Sequence, residues 1–393
     1  MRAAVSRAGR APTCLEGLAL ILFLHNRYRT TGGEERAVDD LLWLVREHLG
    51  EDAELLERDS ALLGSGRAAA GMLRGGLRPD EVARAVRRTR ARVVHAHNLN
   101  PAFGWRALAA ARAAGARVVL HLHQYRLVCA IGVCFTRGAE CTRCHGRNTL
   151  PGVIFGCRGS RLEAVTYGIG LAAWQRRLIA LADAVVVPSR FADSRLRALA
   201  APIGVTHTLP HLIRSFAAAS ATVAAGPALV VSRLAPEKGI EVAIQACRIA
   251  GVPLVVAGEG PERARLDTGE PGVRFVGRVG EPELRGLRRA AAVALAPSRS
   301  AETFGLAAAE AMAAGLPVAG SRIGALPEFV PEEWLVPPGD PHALAAAITR
   351  LCRDTGARAR AIARARAIAA PDVVAPRLAA IYSRCGAERR PAT

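Results

Sequence analysis

Lysine is almost missing from this chain. Of its 53 basic residues only Lys238 is lysine, and the rest are arginine. Aromatic residues fill just 4% of the 393 positions. The formal charge of +19 raises the question of a nucleic-acid partner. So few aromatics supply no stacking platforms, and the arginines are scattered without zinc-finger spacing, so nucleic acid is excluded as the partner. Alanine and glycine abound beside the arginine, which is the residue usage of a GC-rich coding sequence and accounts for part of the positive balance. Long apolar runs are missing too. Hydrophobic residues make up 51% of the chain, yet no stretch reaches the roughly 18 residues of a membrane span. The segment "GLALILFLH" (17–25) follows a basic start but is short and lacks a small-residue cleavage site. It reads as a first β-strand rather than a signal peptide. Residues 1–16 read as an unstructured leader, and the expected location is cytoplasmic.

What is present is a regular alternation. Strand-like runs recur at 18–25, 53–57, 92–96, 117–122, 184–187 and 205–209, with helical stretches at 34–48, 80–90, 102–114, 160–181 and 190–200. The second half repeats the pattern from "ALVVS" (228–232) through "PLVVAG", "VRFVG" and "AAVALAP" to "LPVAG" (316–320). Such alternation predicts an α/β protein of two doubly wound parallel sheets. The expected domains are 17–210 and 225–370, joined by a featureless small-residue stretch, with 371–393 as a C-terminal segment. In doubly wound sheets ligands bind beyond the C-terminal strand ends, and a cleft between two facing sheets is the expected site.

Three stretches carry candidate chemistry. "SAETFGLAAAEAMAAGLP" (300–317) sets Glu302 in a loop and Glu310 eight residues on in an alanine-rich helix, with Gly305 near the helix start. The free N–H groups of that helix N-terminus suit a phosphate. "RLAPEKGIEVAIQA" (233–246) flanks a proline-containing turn with Arg233 and Lys238, two cations suited to a diphosphate. "FLHNRYRTTGGEERAV" (23–38) puts Gly32 and Gly33 between a strand and a helix, where paired glycines admit a close ligand or simply make a tight turn. His121 and His123 share one strand face, compatible with a site or with buried structural histidines.

Taken in order, "HNRYRTTGGEE", "VVHAHN", "VLHLHQYRLVC", "ADAVVVPSRFADSRL", "VSRLAPEKG", "VVAGEGPERARL" and the Glu-x7-Glu motif "ETFGLAAAE" resemble the retaining GT-B glycosyltransferases of family 4. The resemblance covers nearly the whole chain after residue 17. It implies a GT-B fold of two facing Rossmann-like domains, the first binding acceptor and the second a nucleotide-diphosphate sugar, with a C-terminal helix at about 372–385 crossing back to the first. It implies that Arg233 and Lys238 hold the donor diphosphate, and that Glu310 accepts hydrogen bonds from the ribose. Glu302 then faces the transferred sugar, and the backbone around Phe304, Gly305 and Leu306 caps the phosphates. His123 matches a histidine placed near the sugar, although Gln124 follows where an acidic residue or asparagine is usual. The implied chemistry is front-face substitution assisted by the leaving group. The acceptor expected is a cell-envelope, polysaccharide or natural-product molecule, whether sugar, lipid-linked or small. No cofactor and no metal are expected.

Cys129, Cys134, Cys141, Cys144 and Cys157 crowd into one stretch; Cys141 and Cys144 have metal-knuckle spacing that nearby cysteines could complete into a zinc site, but the first pair is spaced by four and a cytosolic chain can simply carry reduced thiols. Two readings compete with glycosyl transfer: a nucleotide-sugar epimerase on the same fold, and a non-enzymatic basic adaptor. The run "ARAVRRTRAR" (83–92) predicts peripheral contact with the inner face of the cell membrane, through Arg84, Arg87 and Arg88 beside an apolar flank of Val82, Ala85 and Val86.

Overall fold

The computed structural model describes residues 20–28, 32–218 and 226–387. The expected leader and part of the small-residue join lie outside the described residues. Eight strands lie in the first half: β1 (Ile21–Arg27), β2 (Ala53–Asp59), β3 (Val93–Ala96), β4 (Arg117–His121), a short hairpin of β5 (Phe135–Thr136) and β6 (Ala139–Glu140), β7 (Ala184–Val187) and β8 (Thr206–Thr208). Apart from the hairpin they form one parallel sheet in the order β2-β1-β3-β4-β7-β8. The second half adds β9 (Ala228–Val231), β10 (Leu254–Ala257), β11 (Val273–Gly277), β12 (Val293–Ala296), β13 (Val318–Ser321) and β14 (Leu335–Val336). These are parallel in the order β11-β10-β9-β12-β13-β14.

The strands are near-continuous apolar runs because helices cover both sheet faces. Val93, Val94, Val118, Val119, Val185 and Val186 are all buried. The chain reverses direction of travel across each sheet once, between β1 and β3 and between β9 and β12, and crevices form at such points. The helix Pro371–Ala387 follows the second sheet but packs Val374, Leu378, Ile381 and Tyr382 against Ile21, Phe23 and Val93 of the first.

Several details differ from the sequence expectation. The first helix is Gly33–Leu44 and continues as a π-helical turn, Val45–Leu49. The helix Ser65–Arg74 was not expected, because "SGRAAAGMLR" has small residues in place of a clear apolar period. The basic helix Pro79–Thr89 turns Val82, Ala85 and Val86 into the core, so this flank is not a docking face. Its Arg84 pairs with Asp80 and its Arg88 with Glu54. Apolar surface is exposed elsewhere, on the adjoining helices Leu150–Ile154 and Arg161–Ala180. Leu150 is 60% exposed, Ile154 67%, Leu162 77% and Ile169 53%.

Candidate active site

The crevice of the second sheet gathers the charged residues. After β9 the chain makes a single 3-10 turn, Pro236–Lys238, and Gly239 adopts φ 63 before the helix Ile240–Ala250. A Cβ on Gly239 would meet the Pro297 carbonyl oxygen at 2.2 Å, so glycine is what lets this turn lie against the loop after β12. That approach sets Lys238 Nζ 2.6 Å from Glu302 Oε1, which also accepts from Ser298 Oγ at 2.6 Å. Burial alone would raise the Glu302 carboxyl, but Lys238, Ser298 and Arg233 outweigh it and hold the group below the usual carboxylate range. Arg233 is half-exposed and pairs with Glu237.

Gly305 caps the helix Leu306–Ala313 at φ 92 and packs under Leu326, which a side chain there would strike. The Phe304 side chain is buried between His211 and Phe329. Glu310 sits one turn further along. Its Oε2 accepts from Arg288 at 2.5 Å, and its Oε1 lies 3.2 Å from Arg36 of the first domain. Each carboxylate oxygen has two lone pairs, so this double grip leaves acceptor capacity for a further donor. Arg36 also reaches Glu281 at 2.9 Å.

The loop with the paired glycines closes from the other side. Gly32 is extended, so no left-handed turn demands glycine there. Its N–H donates to Glu35 Oε2 at 2.7 Å, and Tyr28 N–H donates to Glu35 Oε1 at 3.1 Å. Gly33 faces Leu306: a Cβ there would stand 3.5 Å from the leucine side chain. The glycine pair therefore lies against the start of the Glu310 helix.

Beyond β3 and β4 a stack of imidazoles fills the first crevice. Ring centroids are 4.4 Å apart for His95 and His97, and 4.0 Å for His121 and His123. His97 Nδ1 and His123 Nε2 are 2.8 Å apart, and His95 Nδ1 meets the Tyr382 hydroxyl at 2.9 Å. Burial holds all of these rings, and His211, neutral: His95 is pushed down to about 3 and His211 to about 4. Nitrogens of His95, His97 and His121 lie within 4.8 Å of one another. The planes of His95 and His121 differ by only 6°, however, and stacked parallel rings aim their in-plane lone pairs past each other. The array is a packed, neutral column in which His97 meets His123 and His95 meets Tyr382, while both His121 nitrogens are buried without a hydrogen-bond partner among the described residues.

His123 stands at its mouth, lining a cavity with Tyr28, Glu34, His97, Gln124 and Arg126. Gln124 Nε2 donates to Glu34 Oε2 at 3.3 Å, and Tyr28 donates to the same oxygen at 2.6 Å. Burial raises the Glu34 carboxyl, against the pull of His25, Tyr28 and Arg126. The glutamine thus supplies a donor to a buried acid that sequence reading passed over.

Thr303 ties the halves together. Its hydroxyl donates to the His123 carbonyl at 2.8 Å, and its own carbonyl accepts from Ser189 Oγ at 2.6 Å. The structure thus brings His123, Glu302, Lys238, Arg233, Gly305 and Leu306 to one cleft. Sequence reading missed Thr303, Ser298, Arg36, Arg288, Glu34 and His211, although Thr303 stood within the quoted Glu-x7-Glu stretch and Glu34 and Arg36 beside the quoted glycine pair.

Comparison with known proteins fits this geometry. Residues 56–211 match the family described as glycosyl transferase 4-like domain, and residues 227–354 match glycosyl transferases group 1. The chain is 40% identical over 145 residues to a GDP-mannose-dependent alpha-(1-6)-phosphatidylinositol dimannoside mannosyltransferase of Mycobacterium tuberculosis, covering 34% of this chain and 38% of that protein. It spans about a third of the length of the curated relatives it matches. Sucrose-phosphate synthase from Thermosynechococcus elongatus superposes with a TM-score of 0.67 at 20% identity, covering 94% of this chain and 100% of that one. The Anabaena protein HepE, solved with UDP and glucose, gives 0.61 at 18% identity over 93% and 99%. Glycosyltransferase domains are thus matched in both halves of the chain, on paired parallel sheets that share the GT-B fold.

Proposed function

We propose that this chain is a retaining glycosyltransferase that moves a sugar from a nucleotide-diphosphate sugar to a cell-envelope, polysaccharide or natural-product acceptor. The observation that carries the reading is the Lys238–Glu302 pair at the crevice of the second sheet, joined through Thr303 to His123 of the first. Cleaving a sugar–phosphate bond builds positive charge on the anomeric carbon and negative charge on the departing diphosphate. Lys238, Arg233 and the N-terminus of the helix Leu306–Ala313 stabilise the diphosphate, with the backbone of Phe304, Gly305 and Leu306 capping it. Gly32 and Gly33 border the donor from the first domain. Glu310 takes the ribose hydroxyls on its remaining lone pairs. Glu302 offers its second oxygen to the transferred sugar, and the neutral His123 faces that sugar from across the cleft.

Glu302 is gripped by Lys238 and Ser298, which suits a positioning carboxylate better than a covalent nucleophile. The reaction then runs on one face of the sugar, the acceptor hydroxyl losing its proton to the departing phosphate oxygen. The acceptor enters through the His123 cavity and is presented at the cytoplasmic face of a membrane. A thermal-shift screen of UDP, GDP, ADP and their hexose esters tests the reading. A ligand at a hundred times its Kd adds about 2.7 kcal/mol to the folded state. No upward shift with any nucleotide diphosphate overturns the assignment.

A further inference from the structure

Five of the nine cysteines fall between residues 129 and 157, outside every contact invoked for glycosyl transfer. All five are unpaired thiols, and all five line one small cavity between the β5–β6 hairpin and the helix Leu150–Ile154. Their placement follows from local structure. Cys134 precedes β5 and Cys141 follows β6, and the Cys141 N–H donates to the Cys134 carbonyl at 2.7 Å, so the hairpin sets the two side by side. Cys144 lies three residues on. Cys157 is turned in at the end of the short helix, its N–H bonded to the Gly152 carbonyl at 3.0 Å, and Cys129 enters from the turn after β4. The rest of the wall is mostly apolar, Ile131, Phe135, Pro151 and Phe155 among it, with the Thr136 hydroxyl 3.9 Å from the Cys157 sulfur.

We propose that these thiols bind a structural zinc ion, with Cys141 and Cys144 as the knuckle and further ligands from Cys129, Cys134 and Cys157. Four thiolates on one Zn²⁺ leave a net charge of about −2, which an apolar pocket tolerates only beside cations. The cations are in place. Arg143 lies 3.8 Å from the Cys141 sulfur, and Arg137 and Arg143 both stack on Phe155, at 4.5 and 4.8 Å from its ring centroid. No three of the sulfurs lie within 4.8 Å of one another, whereas bonds of about 2.3 Å set neighbouring sulfurs about 3.8 Å apart around zinc. Binding therefore draws the thiols inward through side-chain rotation, with their protons released to solvent.

A crosslink would brace the segment. It holds two two-residue strands and a five-residue helix, with little regular structure of its own. Yet it is the surface on which the Glu302 loop rests: Ser300 Oγ donates to the Val133 carbonyl at 2.6 Å, and Arg299 donates to the Gly138 carbonyl at 2.7 Å. A zinc knuckle would hold that rest in position, whatever the reaction in the cleft.

Metal analysis of the purified full chain, produced with zinc in the medium, is the test. The expected content is close to one zinc per chain, falling to background in Cys141→Ser and Cys144→Ser and unchanged in Cys352→Ser. Should the serine variants fail to fold, wild-type protein is titrated with a mercurial while a zinc dye is monitored. Zinc release in step with thiol modification, with faster hydrogen exchange over residues 130–158, supports the site. Zinc-free, natively folded protein, iron in place of zinc, or release that ignores the thiols overturns it.

Discussion

Lys238 shows how much one residue can carry in a chain otherwise furnished with arginine. A compact ammonium fits between Glu302 and a phosphate, where a planar guanidinium would have to displace one of them. Lys238→Ala should therefore cut donor kcat/KM by about 2–4 kcal/mol, the range for losing one charge-stabilising donor. Lys238→Arg should recover little of it. Arg233, half-exposed and already paired with Glu237, should cost less when replaced by alanine. Steady-state kinetics check this; normal turnover in Lys238→Ala would remove the residue from the site. A second prediction separates the two glutamates. Glu302→Gln should act on kcat or on discrimination between donor sugars. Glu310→Gln should raise the donor KM and also lower Tm, because Arg288 is buried against it and would lose its counter-charge, at about 1–3 kcal/mol. An unchanged affinity for free nucleotide diphosphate in Glu310→Gln would sink the ribose assignment. Arg233, Lys238 and Glu302 were legible because each lies in a short strand–turn–helix stretch whose order shows in the sequence. Arg288, Arg36 and Thr303 were not, since their roles come from residues 22, 274 and 180 positions away.

Among the elements, β3 and β4 have the clearest consequence. Both carry His-x-His at their C-terminal ends, and parallel pairing sets His95 opposite Val119, so the four rings fall into one column. Alternation along each strand made the shared face of His121 and His123 readable, but the meeting of the two strands required the fold. The column titrates in one direction. Burial lowers the folded-state pKa of His95, His97, His121, His123 and His211 below the unfolded value near 6.5, so the unfolded chain binds more protons below that pH. Stability is then fully present above about pH 6.5 and is lost as pH falls toward the folded-state values, which for His95 and His211 are about 3 and about 4. Each such histidine contributes a slope of up to about 1.4 kcal/mol per pH unit. Urea midpoints between pH 7 and pH 4.5 measure this, and His95→Phe should flatten the fall by one proton's worth. An identical slope in that variant would mean that His95 takes up its proton within the folded protein. Helix ends were less legible: Gly33–Leu44 passes into a π-helical turn that no sequence signal marks.

At the scale of the whole molecule, two sheets, their crevices and the returning helix Pro371–Ala387 put the His123 cavity in the first half and the charged crevice in the second. The βα alternation was enough to read that plan, because parallel strands in buried sheets repeat so plainly. Surface assignment was not readable in the same way. An amphipathic basic helix looks alike whether its apolar side meets a core or a lipid, and in Pro79–Thr89 it meets the core. For a lipid-linked acceptor, the helices Leu150–Ile154 and Arg161–Ala180 offer a clustered apolar surface for membrane contact. Leu150 and Ile154 are four residues apart, and Leu162, Val165 and Ile169 follow helical spacing, so each helix presents a set of exposed apolar side chains, while Tyr167 and Leu171 of the longer one are buried. Exposed Arg161 and Arg176 stand on the longer helix, on a chain of charge +19, which suits an anionic lipid surface. No helix of the described residues is long and apolar enough to cross a membrane, so docking would be peripheral. Fully burying one leucine contributes about 1.5–3 kcal/mol, and each cation near anionic lipid about 1 kcal/mol. Vesicle flotation should show binding that requires anionic lipid and weakens with salt. Leu162→Ser combined with Ile154→Ser should abolish it without lowering Tm, since both side chains are exposed. Glutamine at Arg84, Arg87 and Arg88 should leave it intact. Retention by the double serine variant, or equal recovery on neutral vesicles, would place the acceptor in solution and leave the nucleotide-sugar site unaffected.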